Sequence, residues 1–465
     1  DLAWSRGLGD VYKRQIGGAG MIGIARILLK KGFKISGSDI AHNNDLRKLS
    51  LRGAKIFIGH DEKNVNGANL LVVSSAINNK NVEVVNAKKN NITIIPRAQM
   101  LGSMMKGYDS IAIAGSHGKT TTTSMLAKIF SSANLSPTYV IGGKVLSTDN
   151  NSDLGDGSYL IAEADESDGS FIHLQPDVAV ITNIDDDHLV HYNNNFEELI
   201  DSFINFALNI PFYGYIVLNA DDKNIQKVAK KIYRKQITFG KSYSSDYQII
   251  KAKYQNGFNK FSLKLKSTKK AYNFEIKLPG DHNIYNAVGA IVTSIEEGIK
   301  IKDIKKGIKE FTGVGRRYQK HNIKINKQKK LLIDDYGHHP IEIDSNINAI
   351  KEEYPKSKIC MIFQPHRFSR TAQLFDDFIR VLKKVDYIYL LDIYSASEKS
   401  IKGIHSRTIY ETLKQSGQKN TSYVKNYNDL IPILEEKAIT YDIFVTQGAG
   451  SISEVCNLIR DKWKA

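Results

Sequence analysis

The chain has 465 residues, of which 42% are hydrophobic and 25% charged, with nine prolines: a globular composition, long enough for about three domains of ~150 residues. No run of about 18 apolar residues occurs, which excludes a membrane-spanning helix, and two cysteines, Cys360 and Cys456, give no disulfide framework and fit a reducing cytoplasm. The formal net charge is +16, but lysines such as Lys251, Lys260, Lys264, Lys266, Lys269 and Lys270 are spread among Ile and Asn residues, so no nucleic-acid partner is expected and part of the charge serves to attract anionic substrates.

Residues 1–15 lack an initiator Met, an apolar strand and the apolar core of a signal peptide, and read as a foreign replacement of the natural start. The turn Gly17-Gly18-Ala19-Gly20-Met21 follows and leads into a helical pattern through Ile24, Ala25, Ile27 and Leu28. A strand at 33–36 ends near Asp39, and further strands are expected at 55–58, 70–74 and 92–95. Strands alternating with helices predict a parallel, doubly wound sheet over a first segment ending at Gly107. A glycine turn with an acid about 20 residues later resembles a dinucleotide fingerprint, which says only that a nucleotide diphosphate fits there.

The second segment, 108–319, opens with the most specific string in the chain, Ile111-Ala112-Ile113-Ala114-Gly115-Ser116-His117-Gly118-Lys119-Thr120-Thr121-Thr122-Thr123. An apolar strand, a glycine turn and a helix start hold polyphosphate, because backbone N–H groups and the helix dipole point at the anion. Lys119 adds a point charge, and the Thr120 hydroxyl is placed to reach Mg²⁺. The spacing G-x-x-G-K-T is shorter than the usual phosphate loop, and the loop is expected to be solvated. A strand at 159–163 ends in Glu163-Ala164-Asp165-Glu166-Ser167-Asp168, where Glu163 is the best-placed hard oxygen ligand for Mg²⁺. A strand at 178–182 ends in Asn183-Ile184-Asp185-Asp186-Asp187-His188, and His188 is a candidate for a second metal. The lysine-rich stretch 247–278 reads as peripheral antiparallel strands. Asn283, opening a helix of small apolar residues, could read an adenine edge, while Asn286 could equally be a cap. Arg316 and Arg317 sit at the segment boundary, where arginine can clamp a transferring phosphate.

The third segment, 320–465, alternates strands and helices again, with strands near 331–333, 359–363, 387–391 and 443–446. Two polar loops follow strands: Asp334-Asp335-Tyr336-Gly337-His338-His339-Pro340 and Gln364-Pro365-His366-Arg367-Phe368-Ser369-Arg370-Thr371. Arg367 and Arg370, three apart, suit recognition of carboxylate or phosphate.

Taken in order, GGAGM, AGSHGKTTTT, EADESD, NIDDDH, HNIYN, GVGRR, DDYGHHP, QPHRFSRT and QGAGS resemble the Mur ligase family from Ile16 to the C-terminus. GGAGM with DDYGHHP and PHRFSRT looks like the alanine-adding members, with the muropeptide-recycling members next to them. The resemblance implies three α/β domains: a Rossmann-like UDP-binding domain (1–107), a central P-loop-type ATPase domain with a mostly parallel sheet (108–319) and a C-terminal Rossmann-like domain (320–465) that binds amino acid and substrate. It implies a cytoplasmic enzyme, monomer or homodimer, that uses ATP and Mg²⁺ to join L-alanine to the carboxylate of UDP-N-acetylmuramate through an acyl phosphate. The implied roles are as follows. Gly115, Ser116, His117, Gly118, Lys119, Thr120 and Thr121 cradle the ATP phosphates. Thr120 and Glu163 hold one Mg²⁺ and His188 a second. Asn283 reads adenine, Arg317 contacts phosphate and Asp335 the ribose. His338, Arg367 and Arg370 handle the sugar carboxylate and the incoming alanine, and Lys119, Glu163, His188, His338 and Arg370 form the catalytic set. Gly17, Gly18, Ala19 and Gly20 bind the UDP part, with Asp39 and His60 as further candidates. The chain departs from the family pattern at Gln15, where a further glycine preceded by an apolar strand is usual, and at Ser395-Ala396-Ser397-Glu398, where a glycine usually precedes the glutamate. With its polar residues 1–15, the first sheet is expected to lack its central strand.

Overall fold

The computed structural model describes residues 10–74, 77–146, 150–187, 189–396 and 398–464; His188 lies outside the described residues. Strands and helices alternate around three mostly parallel sheets, the α/β architecture expected from the sequence. The chain forms two compact units. One runs through Lys253 and takes in Lys260–Ile276 and Asn283–Thr312; the other comprises Tyr254–Asn259, Lys277–His282 and Gly313–Ala465.

In the first unit, a five-stranded parallel sheet has the order Lys55–Ile58, Lys34–Asp39, Asp10–Arg14, Leu70–Val73, Thr93–Pro96. Leu70–Val73 is the apolar run that a strand covered on both faces requires. Asp10–Arg14 breaks that rule, and it corrects the expectation of a missing central strand: Asp-Val-Tyr-Lys-Arg pairs on both sides, with Lys34–Asp39 and with Leu70–Val73. Its neighbours satisfy the backbone groups, which side-chain polarity does not forbid. Two of its polar side chains find a partner in the buried Glu83. The Tyr12 hydroxyl donates to Oε1 at 2.8 Å, and Arg14 Nε lies 3.2 Å from Oε2. Lys13 finds none among the described residues: it is fully buried and its Nζ makes no hydrogen bond to them. Burial holds its ammonium well below the ordinary lysine range.

The first unit also carries a ten-stranded sheet. The phosphate-loop strand Asp109–Ala114 is flanked by parallel neighbours, Val178–Ile181 on one side and Tyr159–Glu163 on the other. Gly115, Glu163 and the Thr182–Asp187 segment therefore leave the sheet at the same, carboxyl-terminal edge, where open α/β sheets bind ligands. The strands Tyr247–Gln255, Phe258–Leu265 and Ala271–Ile276 form one edge of this sheet.

The second unit has a six-stranded sheet in the order Gln319–Ile325, Gln328–Asp335, Ile443–Gln447, Ile359–Phe363, Tyr387–Leu390, Thr421–Tyr423, with only the first pair antiparallel. The central strands are buried along their length, as in Ile359–Phe363. The ends of Gln328–Asp335, Ile443–Gln447 and Ile359–Phe363 lie side by side, which brings the two polar loops of the third segment to one edge.

Candidate active site

The phosphate loop is built around two glycines that no other residue replaces. Gly115 has φ +132°, and a Cβ there would meet Thr182 Oγ1 at 2.1 Å. Gly118 has φ +83°, and a Cβ there would meet Asn286 Oδ1 at 2.2 Å. Between them the loop is fastened to the strand end beside it. The Ser116 N–H donates to Asn183 O (3.1 Å), and the Asp185 N–H donates to Ser116 Oγ (2.8 Å). The His117 N–H donates to Asn183 Oδ1 (2.8 Å), while its carbonyl accepts from Thr182 Oγ1 (2.6 Å) and Asn183 Nδ2 (2.9 Å). His117 Nε2 lies 3.4 Å from Asp185 Oδ2. The helix Lys119–Ser132 then begins, with Thr121 buried in its first turn. Threonines are indifferent helix formers, but here Thr123 Oγ1 bonds back to the Lys119 carbonyl (2.8 Å) and burial of Thr120–Ala127 holds the helix.

Lys119 differs from the solvated cation expected. Its side chain is only 11% exposed. Nζ donates to Gly115 O (2.6 Å) and to Glu166 Oε2 and Oε1 (2.7 and 3.0 Å). Burial alone would lower its pKa, yet Glu166, Asp165 and Glu163 together raise it, so it stays charged. Burial pushes the Glu166 carboxyl up to about 7 against the pull of Lys119. Burial also opposes charge on Asp165, but Lys119, Arg97 and the Ser167 N–H hold it below the ordinary carboxylate range.

Thr120 and Glu163 meet: Thr120 Oγ1 lies 3.0 and 3.1 Å from the two Glu163 carboxylate oxygens, and the Gly142 N–H donates to Oε2 at 2.7 Å. The pair offers hard oxygens at the foot of the phosphate loop, the donor chemistry that Mg²⁺ takes. Asn283 is buried at the start of its helix, with Oδ1 accepting from Asn286 Nδ2 at 3.4 Å, so it reaches the loop through the residue beneath Gly118.

The glycine turn of the first domain faces the same region. A cavity of about 290 Å³ is lined by Gln15, Gly18, Gly20 and Arg97 on one side and by Gly142, Glu163 and Asp165 on the other. Gly17 donates its N–H to Asp39 Oδ2 (2.9 Å), and Asp39 Oδ1 accepts from Ile40 N–H, so Asp39 props the turn itself. A Cβ on Gly20 would lie 2.6 Å from Arg97 Nη1, so a larger residue there would displace the Arg97 side chain. Ala19 opens the helix Ala19–Lys30. Gln15 sits at φ +55°, the conformation that favours the glycine usual in the family pattern. His60 Nδ1 lies 3.7 Å from Oε2 of the buried Glu83, which also accepts from Ser38 Oγ and Asn64 Nδ2.

In the second unit, Asp335 accepts from the Tyr318 and Gly337 N–H groups and from Gln447 Nε2, each at 2.8 Å, and so ties the loop to the sheet. Arg317 lies over the Tyr336 ring (5.2 Å) and 3.4 Å from Glu342 Oε1. His338 Nδ1 sits 3.2 Å from Tyr336 O, and its ring centre lies 5.2 Å from that of His366. His366 in turn stacks on Tyr394 at 11° and lies 3.4 Å from Arg370 Nη1. Arg370 is buried and Arg367 half-buried, at φ +71°. The structure thus brings His338, His366 and Arg370 together, with Arg367 at the start of the same short helix Phe368–Gln373. Sequence reasoning gave no site role to Arg97 and Glu166 near the phosphate loop or to His366 and Tyr394 here, and treated Asn286 as a cap. Glu166 and His366 stand inside quoted motifs; Arg97 carries no local signal.

Three family models match the chain: "Mur ligase family, catalytic domain" over residues 11–109, "Mur ligase middle domain" over 113–294 and "Mur ligase, glutamate ligase domain" over 316–450. Among solved structures, the UDP-N-acetylmuramate–alanine ligase of Thermotoga maritima is 26% identical, with 97% of this chain and 98% of that chain covered at a TM-score of 0.82. A murein peptide ligase of Psychrobacter arcticus shares the fold at 21% identity, with 97% and 98% covered and a TM-score of 0.72. So does the MurF ligase of Thermotoga maritima solved with ADP, at 17% identity, 92% and 95% covered and a TM-score of 0.61.

Proposed function

This chain belongs to the Mur ligase family, and on that footing we propose that it joins L-alanine to the carboxylate of UDP-N-acetylmuramate, with ATP as the energy source, in peptidoglycan precursor synthesis. The observation that carries the reading is the shared cavity: the glycine turn of the first domain and Glu163, whose carboxylate accepts from Thr120 of the phosphate loop, open onto one space. A sugar carboxylate extending from that turn would arrive beside the γ-phosphate. Likeness to the alanine ligase of Thermotoga maritima supports the choice of amino acid. The domain limits 1–107, 108–319 and 320–465 go with this reading.

Carboxylate and γ-phosphate are both anions, so their approach needs fixed cations. Lys119 supplies one from the loop. Mg²⁺, held by Thr120 and Glu163, would supply neutralisation of the phosphates when bound. Carboxylate oxygen attacks phosphorus and ADP leaves; the alanine amine then attacks the acyl carbon and phosphate leaves. Arg367, Arg370 and His338 are assigned to orient the carboxylate and the amino acid, the planar guanidinium suiting a carboxylate. The experiment is phosphate release from ATP and Mg²⁺ with UDP-N-acetylmuramate and, in turn, L-alanine, glycine, L-serine and the tripeptide L-alanyl-γ-D-glutamyl-meso-diaminopimelate. The proposal expects alanine to be used best. Preference for the tripeptide would instead make the chain a muropeptide-recycling ligase.

A further inference from the structure

Six lysines, two from the edge strands and four from one helix, meet at one place. The helix Ile301–Glu310 turns Ile304, Gly307 and Ile308 into the core and carries Lys302, Lys305, Lys306 and Lys309 at i, i+3, i+4 and i+7, on one exposed face. Gly307 allows the close packing, since a Cβ there would lie 2.7 Å from Ile129 Cα. That lysine face meets Lys251 and Lys260 of the edge strands across a cavity of about 750 Å³, floored by the stacked rings of Phe261 and Phe274. The volume is that of an ordinary small-molecule site.

The charge in this cavity is not balanced from within. Two carboxylates line it: Glu275 is paired with Lys309, and Glu310 with Lys128, which stands outside the lining. Lys251, Lys260, Lys302, Lys305 and Lys306 form no ion pair among the described residues. Lys305 Nζ sits 6.0 Å from the centre of the Phe274 ring. Lys251 is held at φ +54° in the middle of the strand Tyr247–Gln255. Backbone strain of that kind persists where the surroundings enforce it and is frequent at ligand sites.

We propose that this cavity is a binding site for a compact, multiply charged anion of the polyphosphate class, separate from the phosphate loop, with which it shares no residue. A concave site suits a small ligand better than a long nucleic-acid backbone. No large apolar side chain is exposed in its lining, so it has no anchor for a lipid surface.

The test is calorimetric titration of the full chain with inorganic triphosphate at low and moderate salt. The wild type is expected to show two sites, the loop and this cavity. Lys302→Glu/Lys306→Glu should lose one site, with at least tenfold weaker binding there, while ATP affinity is kept. Lys302→Gln/Lys306→Gln, which neutralises without reversing charge, should give the same loss in a smaller degree, and a pair from the facing wall, Lys251→Gln/Lys260→Gln, should match it. Two sites persisting in these variants, or a single site in the wild type, would overturn the proposal. So would affinity no greater for triphosphate than for inorganic phosphate, or lysine-dependent binding of a DNA 20-mer or of phosphatidylserine vesicles that exceeds that of triphosphate.

Discussion

Lys119 and Glu166 form a buried ion pair across the phosphate loop, with Nζ 2.7 Å from Oε2 and the Glu166 side chain fully excluded from solvent. The cation that is to meet ATP is therefore already committed in the free protein, and the loop is a packed structure. Lys119→Ala should reduce turnover by roughly 10²–10³-fold or more, the loss expected on removing a fixed group from a developing charge. It should also lower the melting temperature, because an unpaired buried carboxylate costs about 3–5 kcal/mol. Lys119→Ala/Glu166→Gln should recover stability and leave turnover low. Steady-state kinetics and thermal melts of the two variants separate the roles; equal turnover in Lys119→Ala and wild type would remove the phosphate-loop assignment.

Gly118 tests the loop backbone. Alanine there must adopt φ +83° and press on Asn286, 2.2 Å away. The left-handed conformation alone costs about 1–2 kcal/mol, and the contact forces the loop to shift. ATP binding by Gly118→Ala, followed calorimetrically, should fall at least tenfold with the rest of the fold intact. An unchanged affinity would show that the turn does not need its observed shape.

The arginine pair should divide the labour between sites. Arg370 is buried against His366, and Arg367 begins the same helix. Replacement of either by Lys keeps the charge and loses the planar fork. KM for UDP-N-acetylmuramate or for alanine should rise, while the Kd of ATP changes little. A collapse confined to ATP binding would place these arginines elsewhere in the reaction.

Much of this site was legible because strand ends in parallel sheets are where polar residues have a reason to be. The acids after Tyr159–Glu163 and the string after Val178–Ile181 announced the edge that the structure assembles. Glu163 could be singled out from the four acids because it closes the strand. Glu166 could not be assigned to Lys119, since the pairing depends on a bend of three residues that no periodicity encodes. Arg97 reaches Gly20 from a distant helix for the same reason. Composition misleads at the first strand: Lys13 and Arg14 look like surface residues, yet sheet pairing on both sides and, for Arg14, the buried Glu83 place them inside.

That first strand leads to the last prediction. Lys13 is fully buried with no hydrogen-bond partner among the described residues, and Gln15 bears a positive φ two residues later. An unsatisfied buried polar group costs about 1–3 kcal/mol and a charged one more, so Lys13→Val should stabilise the first domain by at least that much at pH 7. The gain should depend on pH. Because burial lowers the Lys13 pKa in the folded state, the unfolded chain binds more protons than the native one at any pH between that lowered value and the ordinary 10.5. Wild-type stability therefore rises with pH across this window, and the advantage of Lys13→Val should shrink as pH approaches 10.5. Gln15→Gly removes the left-handed strain, a gain of about 1 kcal/mol, and restores the glycine of the family pattern beside the proposed UDP-sugar cavity. Urea melts of the two variants at several pH values, with UDP-N-acetylmuramate titrations of each, supply the check. A stability difference for Lys13→Val that stays flat from pH 7 to 10 would mean that burial does not lower the Lys13 pKa. Unchanged sugar-nucleotide affinity in Gln15→Gly would mean that the turn already binds as well as its geometry allows.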